Sequence, residues 1–330
     1  MVPEPDWQSV TRWLEECHWP LLISHERPDG DALGAIAGMS LMLRRRGLEP
    51  VAALFEPFPA RYGFLESAAR WYVWEQVRDV LARECDALVI LDTCAVSQLE
   101  PVAAFLTQAP RTLVIDHHAT RDPIGTRDGD LRIFDDTASA TCLMVAEWVR
   151  ALGVALDEQL ATALFTGIAT DCGWFRFTNT DARTMRLVAE LVEAGADPSR
   201  IHTTIYQQEP PAKLRLIAHM LNRLELKADG KLAVMYLRPA DFETTGADSS
   251  MTEDLVNEAT RLGCTEATLL FTEEPDHTIR VNFRSKQWLD VSVLARRFGG
   301  GGHARAAGAR LRGEWDRVVP RLIAEVIGVL

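Results

Sequence analysis

Three short apolar runs, each ending in acidic or histidine-bearing residues, constrain this chain most. They are PLLIS (20–24), which runs into HERPDGD, then DALVILD (86–92) and RTLVID (111–116). A strand without polar alternation must be covered on both faces, as in parallel sheets wrapped by helices. The segments between these runs agree. DALGAIAGMSLMLRRRG (31–47) places Leu33, Ile36, Ala37, Ser40 and Leu41 on one helical face, with Gly47 as a stop. PVAALF (50–55) reads as a further strand, and helices are expected near 139–152, 158–169 and 181–195. The rhythm is that of an α/β fold with a parallel sheet.

At 330 residues there is material for two domains. A polar break, GADPSRIHTTIYQQEPP (195–211), and a helix near 212–226 divide the chain. The expected organisation is a first domain over 1–195, a linker over 196–226 and a smaller α/β domain over 227–330. The second domain should hold the strand KLAVMYL (231–237), a helix near 252–262 and the paired strands ATLLFTE and TIRVNFRS. A helix near 291–297, the loop FGGGGHARAAG (298–308) and a terminal helix complete it.

Net charge is −12, which disfavours a groove for long duplex nucleic acid. Residues 211–330 hold 17 basic and 16 acidic side chains, so the deficit lies in residues 1–210. Between 280 and 310 seven basic residues face the single acid Asp290. An acidic first part beside a locally basic patch suits a metal site working on a small anion. No apolar run reaches the ~20 residues of a membrane span, and the N-terminus lacks a signal-peptide core. The six cysteines form no CxxC pair, which fits a reducing compartment; a cytoplasmic location is expected.

In open α/β sheets the loops at the carboxyl ends of the strands form the ligand crevice. Here those loops hold His25, Asp29 and Asp31, then Asp92, then Asp116, His117 and His118; Asp171 follows a small-residue helix. Singly, each has an ordinary reading: Asp31 as a helix N-cap, Asp92 and Asp116 as turn formers, the histidine pair as loop residues. Together, five carboxylates and three imidazoles in one crevice cannot remain charged without cations. Mixed Asp and His ligands suit Mn²⁺, with Mg²⁺, Co²⁺ or Zn²⁺ as alternatives. So many ligands favour two ions bridged by a carboxylate.

HERPDGDALG, VILDTC, VIDHH and ATDCG resemble the four motifs of the DHH phosphoesterase superfamily, and RVNFRSK with DVSVLARRFGGGGHARAAG resembles its DHH-associated C-terminal domain. Arg27 stands where the first motif usually carries Asn. The resemblance implies a Rossmann-like catalytic domain, a smaller substrate-binding domain and an active site in the cleft between them. It implies one ion held by His25, Asp29 and Asp92, and another by Asp31, Asp92, His117 and Asp171. Asp116 would orient an imidazole, and His118 would lie near the phosphate. Arg284, Ser285, Gly300, Gly301, Gly302, His303 and Arg305 would hold the far end of the substrate.

The glycine run 299–302 removes every side chain, so backbone N–H groups can approach an anion; a bare run is otherwise a flexible connector. Trp174 and Phe175 offer base stacking or core packing, Arg176 a phosphate contact or surface charge, and Ser139 a helix cap. The expected activity is hydrolysis of RNA of two to five nucleotides to mononucleotides, together with removal of the 3′-phosphate of pAp. Cyclic or linear dinucleotides are the alternative substrates, and a non-catalytic nucleotide sensor is the alternative class. Homodimers are frequent in the family.

Overall fold

The computed structural model describes residues 6–330 apart from 120, 253 and 275. The chain divides into two compact units, Met1–Gln208 and Glu209–Leu330.

The first unit is built on strands β1 (Pro20–Ile23), β2 (Val51–Leu54), β3 (Trp71–Val73), β4 (Ala87–Leu91), β5 (Thr112–Asp116) and β6 (Leu131–Phe134). They form a parallel sheet in the order β3-β2-β1-β4-β5-β6. Every residue of β1, β4 and β5 is buried, as unalternating apolar runs require. Alternate side chains serve two cores. Leu22, Val89, Leu91, Leu113 and Ile115 face helices α1 (Trp7–Glu15), α2 (Gly30–Arg45), α5 (Thr141–Ala151), α6 (Glu158–Asp171), α7 (Ala182–Glu193) and α8 (Pro198–Tyr206). Leu21, Ile23, Leu88, Ile90 and Val114 face α3 (Trp74–Glu84) and α4 (Ala103–Gln108). The strand order reverses between β1 and β4, the switch point where such sheets open a crevice.

Within the first core α2 and α6 run against each other without intervening side chains. A Cβ on Gly34 would lie 2.5 Å from the Ala163 carbonyl oxygen and 3.2 Å from Gly167 N, and one on Gly167 would lie 2.7 Å from Asp31 Oδ1. These bare positions bring the first turn of α2 beside the last turn of α6.

The second unit carries β7 (Glu225–Lys227), β8 (Leu232–Leu237), β9 (Ala267–Glu273), β10 (Ile279–Ser285), β11 (Gly301–His303) and β12 (Ala306–Leu311), ordered β11-β12-β10-β9-β8-β7. Among the described strands of this second sheet only β8 and β9 pair in parallel. Leu269, Phe271, Val281 and Phe283 pack under α11 (Val291–Arg297) and α12 (Trp315–Ile327). Ala233, Met235 and Leu270 pack on α9 (Pro211–Leu221), while α10 (Pro239–Thr245) follows β8.

Four local expectations differ from the structure. The segment read as linker contains α8, whose Ile201 and Ile205 belong to the first core. The helix expected over 212–226 stops at Leu221, and residues 225–227 form an edge strand. The helix expected near 252–262 consists of 3₁₀ turns at Ser249–Thr252 and Leu255–Arg261. The segment FGGGGHARAAG carries the β11–β12 hairpin, with Gly301 opposite Gly308. Strands β3 and β6 were not expected: each is short and only partly buried, so neither shows the apolar run of a central strand. Among the described residues no helix is long and apolar enough to cross a membrane.

Candidate metal centre

Each acidic turn takes its geometry from local backbone demands. Asp29 is the N-cap of α2, and its Oδ1 accepts the N–H groups of Asp31 (2.9 Å) and Ala32 (3.1 Å). Asp31 caps a different helix. Its Oδ2 accepts Thr141 N–H at 2.6 Å and its Oδ1 accepts Cys142 N–H at 2.8 Å. The N-cap residue of α5, Ala140, has no side chain for the task. Ser139, read as a candidate cap, instead accepts a hydrogen bond from Thr184 Oγ1. Asp92 leaves β4 at φ +62°, a left-handed conformation that Asp tolerates better than bulkier residues, and accepts Thr141 Oγ1 at 3.0 Å. Arg27 also has a left-handed φ, +54°, where Asn is the more comfortable residue.

The resulting cluster draws on the ends of β1, β4, β5 and α6. His25 Nδ1 bonds the Glu26 carbonyl (2.8 Å), and its Nε2 faces Asp92 Oδ2 at 3.5 Å and Asp29 Oδ1 at 4.0 Å. His117 Nδ1 bonds the Ala138 carbonyl (3.2 Å), and its Nε2 faces Asp92 Oδ1 at 3.5 Å, Asp31 Oδ2 at 3.8 Å and Asp171 Oδ2 at 3.8 Å. Both rings anchor one nitrogen on a carbonyl and aim the other at carboxylates, the way histidine is held when it ligates a metal. The two oxygens of Asp92 face the two rings separately.

These spacings decide between two uses. Side chains that satisfied each other would close to roughly 2.7–3.2 Å. Two donors sharing an ion at about 2.1 Å lie roughly 3.0–3.4 Å apart. The contacts here are wider than hydrogen bonds, and buried His117 Nε2 has no hydrogen-bond partner. Ligand atoms of His25, Asp29 and Asp92, and those of Asp31, His117 and Asp171, lie within 4.8 Å of one another. The residues therefore fit divalent ions in donor type and charge, with donors 3.5–4.0 Å apart that need to close by a few tenths of an ångström around an ion.

Electrostatics show the strain of the cluster on its own. Burial pushes the Asp31 carboxyl well above its usual range, and the charges of Asp92 and Asp171 add to this. Burial likewise lifts Asp171 to about 7, with Asp92 contributing and His117 opposing. For His25, burial alone would lower the pKa, but the Asp92 contact and the Asp29 charge outweigh it and raise it to about 9. His117 follows the same logic and reaches about 10. Asp92 is lowered despite burial, because both imidazolium rings flank it. Without cations the cluster balances its charge by holding protons.

His118 adjoins this set, its Nδ1 3.8 Å from Asp92 Oδ1 and its ring 4.4 Å from that of His117, and it is tied to Asp116. Fully buried Asp116 accepts His118 Nδ1–H at 2.8 Å and the His118 backbone N–H at 3.1 Å through one oxygen. That contact orients the His118 ring and raises its pKa against the effect of burial.

In the second unit, Arg284 lies half-buried and bonds Asn257 Oδ1 (3.0 Å). Ser285 Oγ donates to the Leu289 carbonyl (2.6 Å), and Arg305 Nη1 bonds the same carbonyl at 2.8 Å. The glycines have packing reasons as well. A Cβ on Gly300 would lie 2.0 Å from the Gly308 carbonyl oxygen, and one on Gly302, at φ +134°, would lie 2.5 Å from that of Ala306. The Gly300 N–H is engaged by the Ala295 carbonyl, whereas Gly301 has open space around it. The His303 side chain lies outside the described part of the structure.

Trp174 and Phe175 pack on the first core, beside Phe165, in a turn where Gly173, Trp174 and Phe175 all have positive φ. Arg176 closes that turn on the Gly173 carbonyl. The exposed aromatic nearby is Phe177, not singled out from sequence because it lies beyond the acidic motif. Thr141 and Ala138 were also missed: they act through a hydroxyl and a carbonyl, which leave no motif.

Residues 21–168 match the DHH family, N-terminal domain, and residues 229–330 match the DHHA1 domain. A Thermus thermophilus protein named bifunctional oligoribonuclease and PAP phosphatase NrnA is 31% identical over 98% of this chain and 96% of its own length. The crystal structure of an exopolyphosphatase-related protein from Bacteroides fragilis superposes with a TM-score of 0.90 at 22% identity, covering 98% of this chain and 95% of that one. The exonuclease RecJ bound to manganese superposes at 0.53 with 15% identity, covering 99% and 95%.

Proposed function

The chain belongs to the DHH family of phosphoesterases, and from that premise we propose that it hydrolyses RNA of two to five nucleotides to mononucleotides and also dephosphorylates pAp to AMP. The observation that carries the reading is the cluster in which His117 Nε2, buried and without a hydrogen-bond partner, faces three carboxylates. The full-length relationship to an oligoribonuclease and PAP phosphatase supports the substrate class.

One ion would be held by His25, Asp29 and Asp92, the other by Asp31, Asp92, His117 and Asp171, with Asp92 in common. Manganese is favoured by the mixed donor set and by the manganese-bound relative of the same fold. When bound, such ions lower the pKa of water and neutralise charge on phosphoryl oxygens. Asp116 holds the proton on His118 Nδ1, so that protonated His118 can donate from Nε2 to a phosphoryl or leaving oxygen. Arg284, Ser285, Gly300, Gly301, Gly302, His303 and Arg305 are assigned to binding the substrate's other phosphate or nucleotide end, with Gly301 the open position of the loop.

The test is Mn²⁺-dependent turnover on RNA of two to about ten nucleotides, pAp, linear and cyclic dinucleotides, and pyrophosphate. Rates that fall steeply with RNA length, accompanied by pAp hydrolysis, are expected. Turnover confined to cyclic dinucleotides or pyrophosphate would refute the substrate assignment.

A further inference from the structure

The loop between β6 and α5, together with the first turn of α5, supplies none of the proposed metal ligands, yet it touches three of the six. Its Ala138 carbonyl holds His117 Nδ1, its Thr141 N–H and Cys142 N–H hold Asp31, and its Thr141 hydroxyl holds Asp92. Asp135 N–H also bonds the Asp116 carbonyl. The position of this segment therefore sets where the His117, Asp31 and Asp92 side chains point.

One side chain from another helix fastens it. Arg183, near the start of α7, places its guanidinium between two carboxylates. Nε and Nη2 donate to the two oxygens of Glu147, each at 2.6 Å, and Nη1 donates to Asp135 Oδ2 at 2.7 Å. The other Asp135 oxygen accepts Thr137 N–H (3.0 Å) and Oγ1 (2.6 Å), closing the turn that ends at Ala138. Glu147 lies on α5, so Arg183 ties the start of the loop to the helix that follows it. Asp135 and Glu147 are almost entirely buried and Arg183 largely so. A planar fork is the one cationic group that can meet both carboxylates at once. The neighbouring Thr184 and Asn179 hold Ser139 at its hydroxyl and carbonyl, extending the grip along the loop.

We propose that Arg183, clamped on Glu147 and Asp135, is a positioning residue that sets the metal affinity of the site through the 135–141 loop without touching metal or substrate. This rests on the ligand assignment above. Neighbours that orient metal ligands typically govern affinity by about 10–100-fold, and the same range is expected here.

The test is Mn²⁺ titration of the metal-stripped full-length chain, followed by electron paramagnetic resonance, alongside urea unfolding and steady-state kinetics on a dinucleotide RNA. Removing Arg183 alone would strand two buried carboxylates, so the principal variant is the uncharged Arg183→Met/Glu147→Met/Asp135→Asn, which strands none. It should unfold cooperatively, bind Mn²⁺ about 10–100-fold more weakly, and lose kcat with little change in KM. Arg183→Lys, which keeps the charge but not the fork, should recover part of the affinity. Leu187→Ala, a cavity one turn along α7, should lower the urea midpoint and leave Mn²⁺ affinity unchanged.

If the triple variant folds and binds Mn²⁺ like the wild type, the proposal is overturned. If it does not fold, wild-type affinity in Arg183→Lys overturns it equally. Loss of affinity in Leu187→Ala to the same extent would reduce the clamp to general stability and also refute it. If Asp92→Ala retains full Mn²⁺ uptake, the ligand assignment itself falls, an outcome distinct from those of the clamp variants.

Discussion

Gly167→Ala tests whether the close contact between α2 and α6 exists for the site or only for packing. A methyl group there would lie 2.7 Å from Asp31 Oδ1 and 2.2 Å from Cys142 Sγ, where ordinary contact starts at 3.4 Å. The carboxylate oxygen must retreat by the difference, roughly 0.7 Å, against a tolerance of about 0.2 Å for metal–ligand distances. Overpacking costs about 1–3 kcal/mol, and the better helix propensity of alanine offsets about 1 kcal/mol, leaving a net loss of about 0–2 kcal/mol. The site should suffer more than the fold, with Mn²⁺ affinity falling about 10–100-fold. Urea unfolding of the metal-free chain and Mn²⁺ titration measure the two effects separately. Gly38→Ala is the control, because its methyl group meets apolar side-chain atoms of Leu164, the nearest at 2.7 Å, and of Leu160 at 3.7 Å, and no site residue among these neighbours. A Gly167→Ala protein with wild-type Mn²⁺ affinity would refute the argument that this glycine makes room for Asp31.

Asp92→Ala should abolish hydrolysis and reduce bound metal below two ions per chain while the apo chain still folds; unchanged turnover with full metal content would exclude Asp92 as a bridge. Thr141→Val removes one hydrogen bond to Asp92 and should weaken Mn²⁺ binding severalfold, about 1 kcal/mol, measurable in the same titration. Gly302→Ala places a methyl group 2.5 Å from the Ala306 carbonyl at φ +134°, so the β11–β12 hairpin should be destabilised by about 1–3 kcal/mol, read from urea unfolding. The raised pKa values give the pH dependence a definite sign. In the metal-free chain the stability contributed by His25 and His117 is complete below about 6.5 and is lost as pH rises through about 9 and about 10. Asp171, held near 7, binds a proton that the unfolded chain has already released, so its contribution also falls with rising pH, between about 4 and about 7. Metal binding displaces these protons, so Mn²⁺ affinity should rise with pH, with the imidazole protons of His25 and His117 released near pH 8 as the two ions bind; calorimetry in buffers of different ionisation enthalpy would show it.

Much of the catalytic half was legible because a parallel sheet writes itself plainly. Its central strands must be apolar throughout, and its crevice lies where they end, so Asp92 and Asp116 could be placed at strand ends from their position alone. The clustering of acids and histidines was visible because burying so many charges has few explanations. Legibility failed where structure depends on pairing rather than composition. The β11–β12 hairpin is mostly glycine and alanine, which carry no strand signal until a partner strand supplies it. The capping role of Asp31 joins residues more than a hundred positions apart, and no local pattern encodes it. The Arg183 clamp was hidden for the same reason: an arginine and two acids on separate elements look like surface charge until the fold buries them.

The strand order of the first unit also bears on how the chain acquires its activity. Residues 25–31, 92, 117 and 171 meet only after β4 has inserted beside β1 and α6 has docked on α2. Parallel pairings of this kind are non-local, and loop closure must be completed before any contact rewards it. Partly folded chains therefore lack the full donor set, and ions in solution favour the finished structure by mass action. Metal capture becomes the last step of maturation, an acceptance test that a chain with one misplaced element fails. In a cell short of divalent ions, folded but inactive chains would accumulate as a reserve that switches on without new synthesis.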